Sequence, residues 1–131
     1  MNESELNSLS EKVIGCAYVV GNALSCGFLE KVYENALAHE IRKLGLKAEV
    51  QKPIHVTYDG VVVGEYFADI LVENVLIIEL KVSNGFSDNH KAQCINYLNS
   101  TKLPLCLLIN FGKPRVEIKR VYQSHFLKNI S

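Results

Sequence analysis

Three ionisable side chains interrupt the most apolar part of the chain. In the stretch from Phe67 to Val82, FADILVENVLIIELKV, Asp69 lies near the beginning, and Glu79 and Lys81 lie near the end. Alternation along a strand places Glu79 and Lys81 on one face. Ile77 shares that face and is as apolar as the residues opposite, so the strand is expected to be central and covered. Burying an unpaired polar group costs about 1–3 kcal/mol, so these side chains are expected to coordinate something.

An acid on one strand and Glu-x-Lys on the next suit metal-dependent phosphodiester hydrolysis. Two carboxylates bind Mg²⁺ through hard oxygen ligands, and the metal activates water and neutralises phosphate charge. The lysine orients the nucleophile or stabilises the transition state. The pattern is short, however, and a solvated strand face that carries a Glu79–Lys81 ion pair is the alternative.

The connection between the two strands decides whether the acids can meet. If residues 73–74 formed a plain two-residue hairpin, Asp69 would lie opposite Ile78 and point away from Glu79. An odd loop, such as residues 72–74, or a β-bulge is therefore predicted, because either restores the shared face.

Periodicity and turn signals predict the elements that position these residues. A capping box at Ser8–Glu11 begins a first helix that ends near Ser25, and a second helix covers Leu29 to Leu44. The other predicted elements are a strand ending at Tyr58, a turn at Asp59-Gly60, strand stretches at 61–63, 66–72 and 75–82, a helix from 87–88 to about 100, and strands at 105–111 and 116–122. The order ααβββαββ indicates an α/β or α+β domain with helices on a mixed sheet.

Two helical residues are expected to reach the same sheet. Glu30 precedes Tyr33 by three residues on the apolar stripe of the second helix, so it is expected to point toward the sheet. The alternative is a glutamate stabilised by the dipole at the helix N-terminus. In the third predicted helix, Gln93 lies on one stripe with His90 and Tyr97 and could extend to the sheet as well.

Composition limits the class of protein. With 131 residues and 48% hydrophobic content, one domain over residues 1–131 is expected. The apolar runs are far shorter than the ~20 residues of a membrane span, and the acidic N-terminus is unlike a signal peptide, so a cytoplasmic location is expected. The four cysteines form no C-x-x-C pair, so reduced, mostly buried thiols are expected. His90 and Cys94 have the spacing of a helical zinc pair but no neighbouring ligands, and zinc is not expected.

The zero net charge hides an asymmetry along the chain. Residues 1–85 carry 7 basic and 12 acidic side chains, whereas residues 86–131 carry 7 and 2. Zero overall charge argues against coating nucleic acid through bulk electrostatics, so any such binding would be local. Some of the C-terminal cations are expected to guide phosphates toward the acids, the candidates being Lys91, Lys113, Arg115, Lys119 and Arg120. An ion pair on an edge strand is the alternative for Arg120.

The chain resembles the GxxExxY family of the PD-(D/E)XK nuclease superfamily over nearly its whole length. GFLEKVY at residues 27–33 matches the naming motif, and Phe67–Asp69 with Ile78–Lys81 matches the nuclease signature. Other stretches that look like the family are His90–Gln93, Tyr97-Leu98, Leu107–Phe111 and Arg120. The resemblance implies a restriction-endonuclease-like αβββαβ core with an extra N-terminal helix. It departs from the family's usual pattern at Gly21, where a histidine is common, and at Ser25-Cys26, where Gly-Pro is common.

The resemblance also implies roles for individual residues. Glu30, Asp69 and Glu79 correspond to the metal-site acids, with Mg²⁺ as the cofactor and Mn²⁺ as its substitute. Lys81 corresponds to the catalytic base or electrostatic helper, and Gln93 to an accessory site residue. Arg120 is the candidate contact to a substrate phosphate.

The expected function is therefore that of a small Mg²⁺-dependent nuclease acting on DNA. Two alternatives stay open, namely a nuclease-fold module that binds nucleic acid or a protein partner without useful turnover, and a metal-independent structural subunit. Because no separate DNA-binding domain is visible in the sequence, a homodimer or a protein partner would supply specificity.

Overall fold

The computed structural model describes residues 1–123. The isolated His125, which the sequence predicts to be a surface or a satisfied, partly buried histidine, lies outside the described residues. The elements are α1 (Glu3–Leu24), α2 (Glu30–Lys43), β1 (Ala48–Tyr58), β2 (Val61–Val72), β3 (Leu76–Lys81), α3 (Asp88–Thr101), β4 (Leu105–Asn110) and β5 (Glu117–Tyr122). This confirms the predicted order ααβββαββ. No helix in this part of the chain is long and apolar enough to cross a membrane.

The five strands of the described chain form one mixed sheet in the order β1-β2-β3-β4-β5. β3 and β4 run parallel, and the other neighbouring strands are antiparallel. A parallel pair needs a crossover connection, and α3 supplies it between β3 and β4. The predicted mixed sheet flanked by helices is confirmed.

Helices cover both faces of the sheet. One core cluster packs the even-numbered residues of β3, such as Ile78 and Leu80, against α1 and α2. A second cluster packs Ile77 and Leu108 against α3. Glu79 lies on the α3 side and is only 3% exposed. The prediction that this strand is covered on both faces is confirmed, and the solvated-face alternative is wrong.

The start of α1 differs from the prediction. The helix begins well before the capping box expected at residues 8–11, because Asn2 is its N-cap and accepts the N–H of Glu5 at 2.8 Å. Leu6 and Leu9 are buried and extend the apolar stripe toward the N-terminus. The helix therefore begins nearly two turns earlier than the capping motif suggested.

β1 and β2 form a long hairpin that extends past the rest of the sheet. β2 is continuous, although two separate stretches at 61–63 and 66–72 were predicted, since Gly64 and Glu65 still pair with β1. β3 pairs only with residues 70–72 of β2. Within the described chain, the distal part of the hairpin is thus paired with no third strand.

The cysteine and histidine expectations fit the packing. All four cysteines are free, and Cys26 is the exposed one. Nδ1 of His90 accepts the N–H of Ser87 at 3.2 Å and closes the capping box of α3. Cys94 is fully buried and hydrogen-bonds to Cys106. His90 and Cys94 are thus both engaged in structural contacts.

A buried asparagine joins the ends of β3 and β4. Oδ1 of Asn110 accepts the N–H groups of Ser83 and Gly112 at 3.0 and 2.9 Å, and its Nδ2 donates to the Ser83 carbonyl at 2.9 Å. Gly112 approaches the same segment so closely that a Cβ there would lie 2.3 Å from the Ser83 nitrogen. This joint fixes the backbone that follows Lys81.

Gly112→Ala should destabilise the protein strongly, because its methyl group would meet backbone atoms that cannot rotate away. We expect a loss of more than about 2 kcal/mol in the free energy of unfolding, measured by chemical denaturation. Gly85→Ala is the matched control, since a Cβ at Gly85 meets no atom within 4 Å. Equal stabilities of the two variants would contradict the proposed close packing at Gly112.

Candidate active site

The candidate site lies where β2 separates from β3. Their pairing ends at Ile70 and Ile78, whereas the pairing of β3 with β4 continues to Lys81. Beyond that point, hydrogen bonds between side chains and the backbone replace the backbone hydrogen bonds between β2 and β3. Oδ2 of Asp69 accepts the N–H of Leu80 at 2.7 Å, and the N–H of Asp69 points to Oε1 of Glu79 at 3.4 Å. The two carboxylates therefore occupy the gap between the diverging strands, which we call the strand fork.

The loop between β2 and β3 has the odd length that this arrangement requires. Val72 pairs with Leu76, so residues 73–75 form a three-residue loop. The same register places Asp69 opposite Glu79. The prediction of an odd loop is confirmed, although the loop begins one residue later than the suggested 72–74.

Burial and a neighbouring carboxylate, Glu34 for Asp69 and Asp69 for Glu79, perturb both acids of the fork. Burial raises the pKa of Glu79 to about 9, and the neighbouring Asp69 and Cys94 contribute further to the rise. Burial also raises the pKa of Asp69, although the hydrogen bond from Leu80 opposes the rise. Glu79 thus holds a proton at neutral pH when no cation is present. The fork is an unfavourable place for two negative charges.

Lys81 and Gln93 meet beside the acids. Nζ of Lys81 donates to Oε1 of Gln93 at 3.4 Å, and Nε2 of Gln93 donates to the Tyr97 hydroxyl at 2.9 Å. Burial raises the pKa of Tyr97 to about 12, and the nearby Glu79 adds to that rise. The hydroxyl therefore stays protonated, and α3 reaches the sheet through Gln93 as predicted.

Glu30 begins α2 close to the fork. It is an exposed residue, and the expectation that its side chain points toward the sheet stays a prediction. Partial desolvation raises its pKa, followed by the field of Asp69, while Lys81 opposes the rise. Glu30 is thus within electrostatic reach of the fork, but the acid of α2 that is buried is Glu34, one turn later.

Glu34 and Gln51 form a network that the sequence interpretation missed. Glu34 is 2% exposed, pairs with Lys31 and accepts Nε2 of Gln51 at 2.5 Å. The same Gln51 amide lies 3.4 Å from Oδ1 of Asp69. Gln51 has a φ of 52°, a left-handed conformation that is rare inside a strand. The spacing of Glu34 with Leu37 and Ile41, at i, i+3 and i+7, could have revealed that it faces inward.

The structure does not bring Arg120 to the fork. Arg120 pairs with Leu107, which pairs in turn with Ile78, so its side chain shares the α1 and α2 face of the sheet. Glu79 and Lys81 project from the opposite face. Arg120 is exposed and makes no ion pair within residues 1–123, so any phosphate contact by this residue would lie away from the acids.

Tyr33 anchors the loop that leads into α2. Its buried hydroxyl donates to the Ser25 carbonyl at 2.6 Å and accepts the Phe28 N–H at 3.2 Å. Its ring stacks on Phe111 with centroids 4.7 Å apart. The tyrosine of the GFLEKVY motif thus fixes the entry to the helix that carries Glu30.

The glycine at position 21 also has a packing reason. A Cβ there would lie 2.2 Å from Cγ2 of Val116. The space beside α1 is therefore filled by a valine from the segment before β5, where the resembling family often has a histidine on the helix.

A family model described as the PD-(D/E)XK nuclease superfamily matches residues 7–121. The chain belongs to the PD-(D/E)XK nuclease superfamily. Nucleases of this superfamily generally depend on a divalent metal. No curated protein gives a significant match.

Two solved structures of similar fold accompany that match. The crystal structure of SSO0001 superposes with a TM-score of 0.53 at 19% identity, over 92% of this chain and 59% of that one. An alkaline exonuclease (LHK-Exo) from Laribacter hongkongensis gives 0.54 at 16% identity, over 98% of this chain and 74% of that one. At such identities the likeness shows the fold alone, which is restriction-endonuclease-like. The chain spans about 59% of the length of SSO0001.

The fork offers a divalent cation two hard donors. Among residues 1–123, no three His, Cys, Asp or Glu side chains lie close enough together to hold a metal ion. Mg²⁺, however, is usually bound through one or two carboxylates and keeps several waters. Asp69 and Glu79 fit that requirement, and a cation would stabilise the ionised forms of both acids, whose pKa values burial and neighbouring carboxylates raise. Glu30 as a third ligand stays a prediction.

The stability of the metal-free protein should fall as pH rises between about pH 4.5 and pH 9, the ordinary and the raised pKa of Glu79. In that range the folded protein holds a proton that the unfolded chain releases, so raising the pH favours unfolding. The slope from one such group is at most about 1.4 kcal/mol per pH unit. Denaturation across this range should show a flatter profile for Glu79→Gln than for wild type. Glu11→Gln, at an exposed position of α1, should keep the wild-type slope.

Tyr33→Phe should loosen the loop before α2, since it removes the hydroxyl that pairs with two backbone groups. The expected loss is about 1–3 kcal/mol in the free energy of unfolding. Tyr58→Phe, which removes an exposed hydroxyl at the hairpin turn, should change stability by less than about 0.5 kcal/mol. Indistinguishable denaturation midpoints would show that the Tyr33 hydroxyl does not hold this loop.

Proposed function

We propose that this protein is a Mg²⁺-dependent nuclease that hydrolyses phosphodiester bonds of DNA, with Mn²⁺ as a substitute metal. The observation that carries the proposal is the strand fork, where Asp69, Glu79 and Lys81 meet on adjacent strands. Membership of the superfamily supports it, because the Asp and the Glu-x-Lys of the fork match the signature from which that superfamily takes its name.

The side chains of the fork would divide the work. Asp69 and Glu79 would hold the cation, which when bound supplies Lewis-acid charge and lowers the pKa of water. The Lys81 ammonium would lie against a phosphate oxygen and offset the negative charge that develops there. Gln93 holds that ammonium at 3.4 Å and is itself held by the Tyr97 hydroxyl at 2.9 Å, so α3 would orient the lysine. Glu30 would add negative potential at the edge of the site.

We further propose that the chain is a GxxExxY protein within the superfamily. Its motif residues have separate physical tasks that support this assignment. Gly27 has a φ of 120°, a backbone conformation that residues with a side chain rarely adopt, and it therefore allows the turn before α2. Tyr33 anchors that turn from inside the core, and Glu30 lies between them at the exposed start of the helix.

One observation favours a second candidate, a nuclease-fold module that binds nucleic acid or a protein without useful turnover. Both oxygens of Asp69 already accept hydrogen bonds, from Leu80 at 2.7 Å and Gln51 at 3.4 Å. An acid engaged in this way binds a cation less readily, because these donors compete for its lone pairs. Cation binding and cleavage therefore need separate measurements.

Millimolar Mn²⁺ or Mg²⁺ should raise the melting temperature of the wild-type protein, because a ligand that binds only the folded state stabilises it. At a concentration 100 times the Kd the gain is about 2.7 kcal/mol. Glu79→Gln should abolish the metal-induced rise while leaving metal-free stability equal or higher. Glu11→Gln should respond as wild type does. A metal-induced rise that survives in Glu79→Gln would remove the fork as the cation site.

Cleavage should require the same fork. Single-stranded DNA, duplex DNA and RNA, incubated with Mg²⁺ or Mn²⁺, should show which polymer is hydrolysed. We expect Asp69→Asn and Glu79→Gln to eliminate cleavage. Lys81→Ala should lower the rate by about 10²- to 10³-fold while metal binding persists. Lys12→Ala, an exposed lysine of α1 outside the site, is the matched control for chemistry.

The outcomes separate the two candidates. Cation binding and nucleic-acid binding without any cleavage would favour the module. The absence of a response to either metal, together with a large loss of metal-free stability in Glu79→Gln, would make Glu79 and Lys81 a buried structural pair and remove the nuclease proposal.

A further inference from the structure

A groove between α3 and the β1–β2 hairpin leads to the fork. It consists of two adjoining clefts of about 460 and 410 Å³, which share Tyr66 on the hairpin and Asn96 on the helix. The first cleft extends to Lys102 at the end of α3. The second includes Gln93, whose amide oxygen contacts Lys81. A chain lying in the groove would therefore arrive at the lysine of the fork.

The walls of the groove carry hydrogen-bonding groups but no acid. In the described part of the chain, no Asp or Glu lines either cleft, although such residues equal Lys and Arg in number over the full sequence. Successive turns of α3 present amide side chains at Asn89, Gln93, Asn96 and Asn99. Three of them, Asn89, Asn96 and Asn99, make no side-chain hydrogen bond to any residue of 1–123, so their donors and acceptors are available to a ligand.

An exposed aromatic ring lies at the middle of this groove. Tyr66 is 50% exposed, and its ring leans on that of Tyr97 with centroids 5.7 Å apart. A ring that contacts another ring on one side and is exposed to solvent on the other can stack on a base that is not already stacked in a duplex. Among residues 1–123, Lys102 alone of the Lys and Arg side chains lines the clefts, and one such charge is too little for duplex binding through many phosphates.

We propose that this groove binds a single-stranded segment of nucleic acid, with Tyr66 as the base-stacking platform and the α3 amides as hydrogen-bonding groups to the bases. The proposal rests on the proposed nuclease function and names the substrate form that reaches the fork. A protein partner suits the groove less well, because the most apolar part of the hairpin, Val61–Val63, does not line either cleft.

The test measures binding without cleavage. Fluorescence anisotropy of fluorescein-labelled oligothymidine, titrated with the full chain in EDTA, gives the affinity with no metal present. Tyr66→Ala should weaken binding about 5- to 100-fold, the range expected for loss of one stacked base. Tyr66→Phe keeps the ring and its packing on Tyr97, so it should stay within about twofold of wild type. Tyr58→Ala removes an exposed tyrosine of the same hairpin outside the groove and should change nothing.

A negative charge introduced into the wall of the groove gives a second measurement. Asn96→Asp adds a negative charge to the shared wall of the two clefts and should lower affinity, whereas Asn22→Asp on α1 should not. Equal affinities of wild type, Tyr66→Ala and Asn96→Asp would overturn the groove.

The two proposals fail in different ways. Metal-dependent cleavage whose KM is unchanged in Tyr66→Ala would overturn the groove and leave the nuclease intact. Oligothymidine binding that depends on Tyr66, with no cleavage under any metal, would support the groove and overturn the nuclease. If wild type binds no oligothymidine and sedimentation shows a dimer that Tyr66→Ala dissociates, the groove is a protein interface and the proposal is wrong.

Discussion

The separation of β2 from β3 is the constraint on which the rest of the structure depends. β2 and β3 pair through their backbones from Val72 and Leu76 to Ile70 and Ile78, but beyond that point the two strands no longer pair. The Asp69 carboxylate takes over the N–H of Leu80, so the fork stays open without leaving that donor unpaired. This replacement of a backbone partner by a side chain places Asp69 beside Glu79 in a buried gap, and burial there raises the pKa of Glu79.

The sequence predicted the architecture because burial sets the alternation of the strands. Every residue of β3 except Glu79 and Lys81 is apolar, so both faces of the strand were expected to be buried. A shift of one residue in the pairing of β2 with β3 moves side chains to the opposite face, so few loop lengths place Asp69 and Glu79 on the same face. The odd loop could therefore be inferred from the chemistry required of Asp69 and Glu79. The predicted start of α1 was wrong because Ser8–Glu11 matches the capping-box pattern, whereas the actual N-cap is Asn2.

The misses at the site share a different cause. Glu34 and Gln51 come from separate elements, and their contact with each other depends on how α2 packs on β1. Gln51 also has a left-handed backbone conformation, which Gly, Asn or Asp would have signalled in the sequence but Gln does not. The resemblance gave no indication of where Arg120 would lie relative to the acids, because it identifies a residue but not the face of the sheet from which that residue projects. The interior of the sheet was thus predictable from local patterns, and the long-range polar contacts were not.

The stacked pair of Tyr33 and Phe111 connects the two halves of the site. Tyr33 belongs to the helix of Glu30 and Glu34, and the Phe111 N–H donates to the carbonyl of Lys81 at 2.9 Å. The acids of α2 and the end of β3 are therefore joined by one rigid link through the core. Local openings of a protein follow such contiguous packing units. The amide protons around α2 and the end of β3 would then exchange with solvent as one cooperative group, whereas those at the tip of the hairpin would exchange on their own.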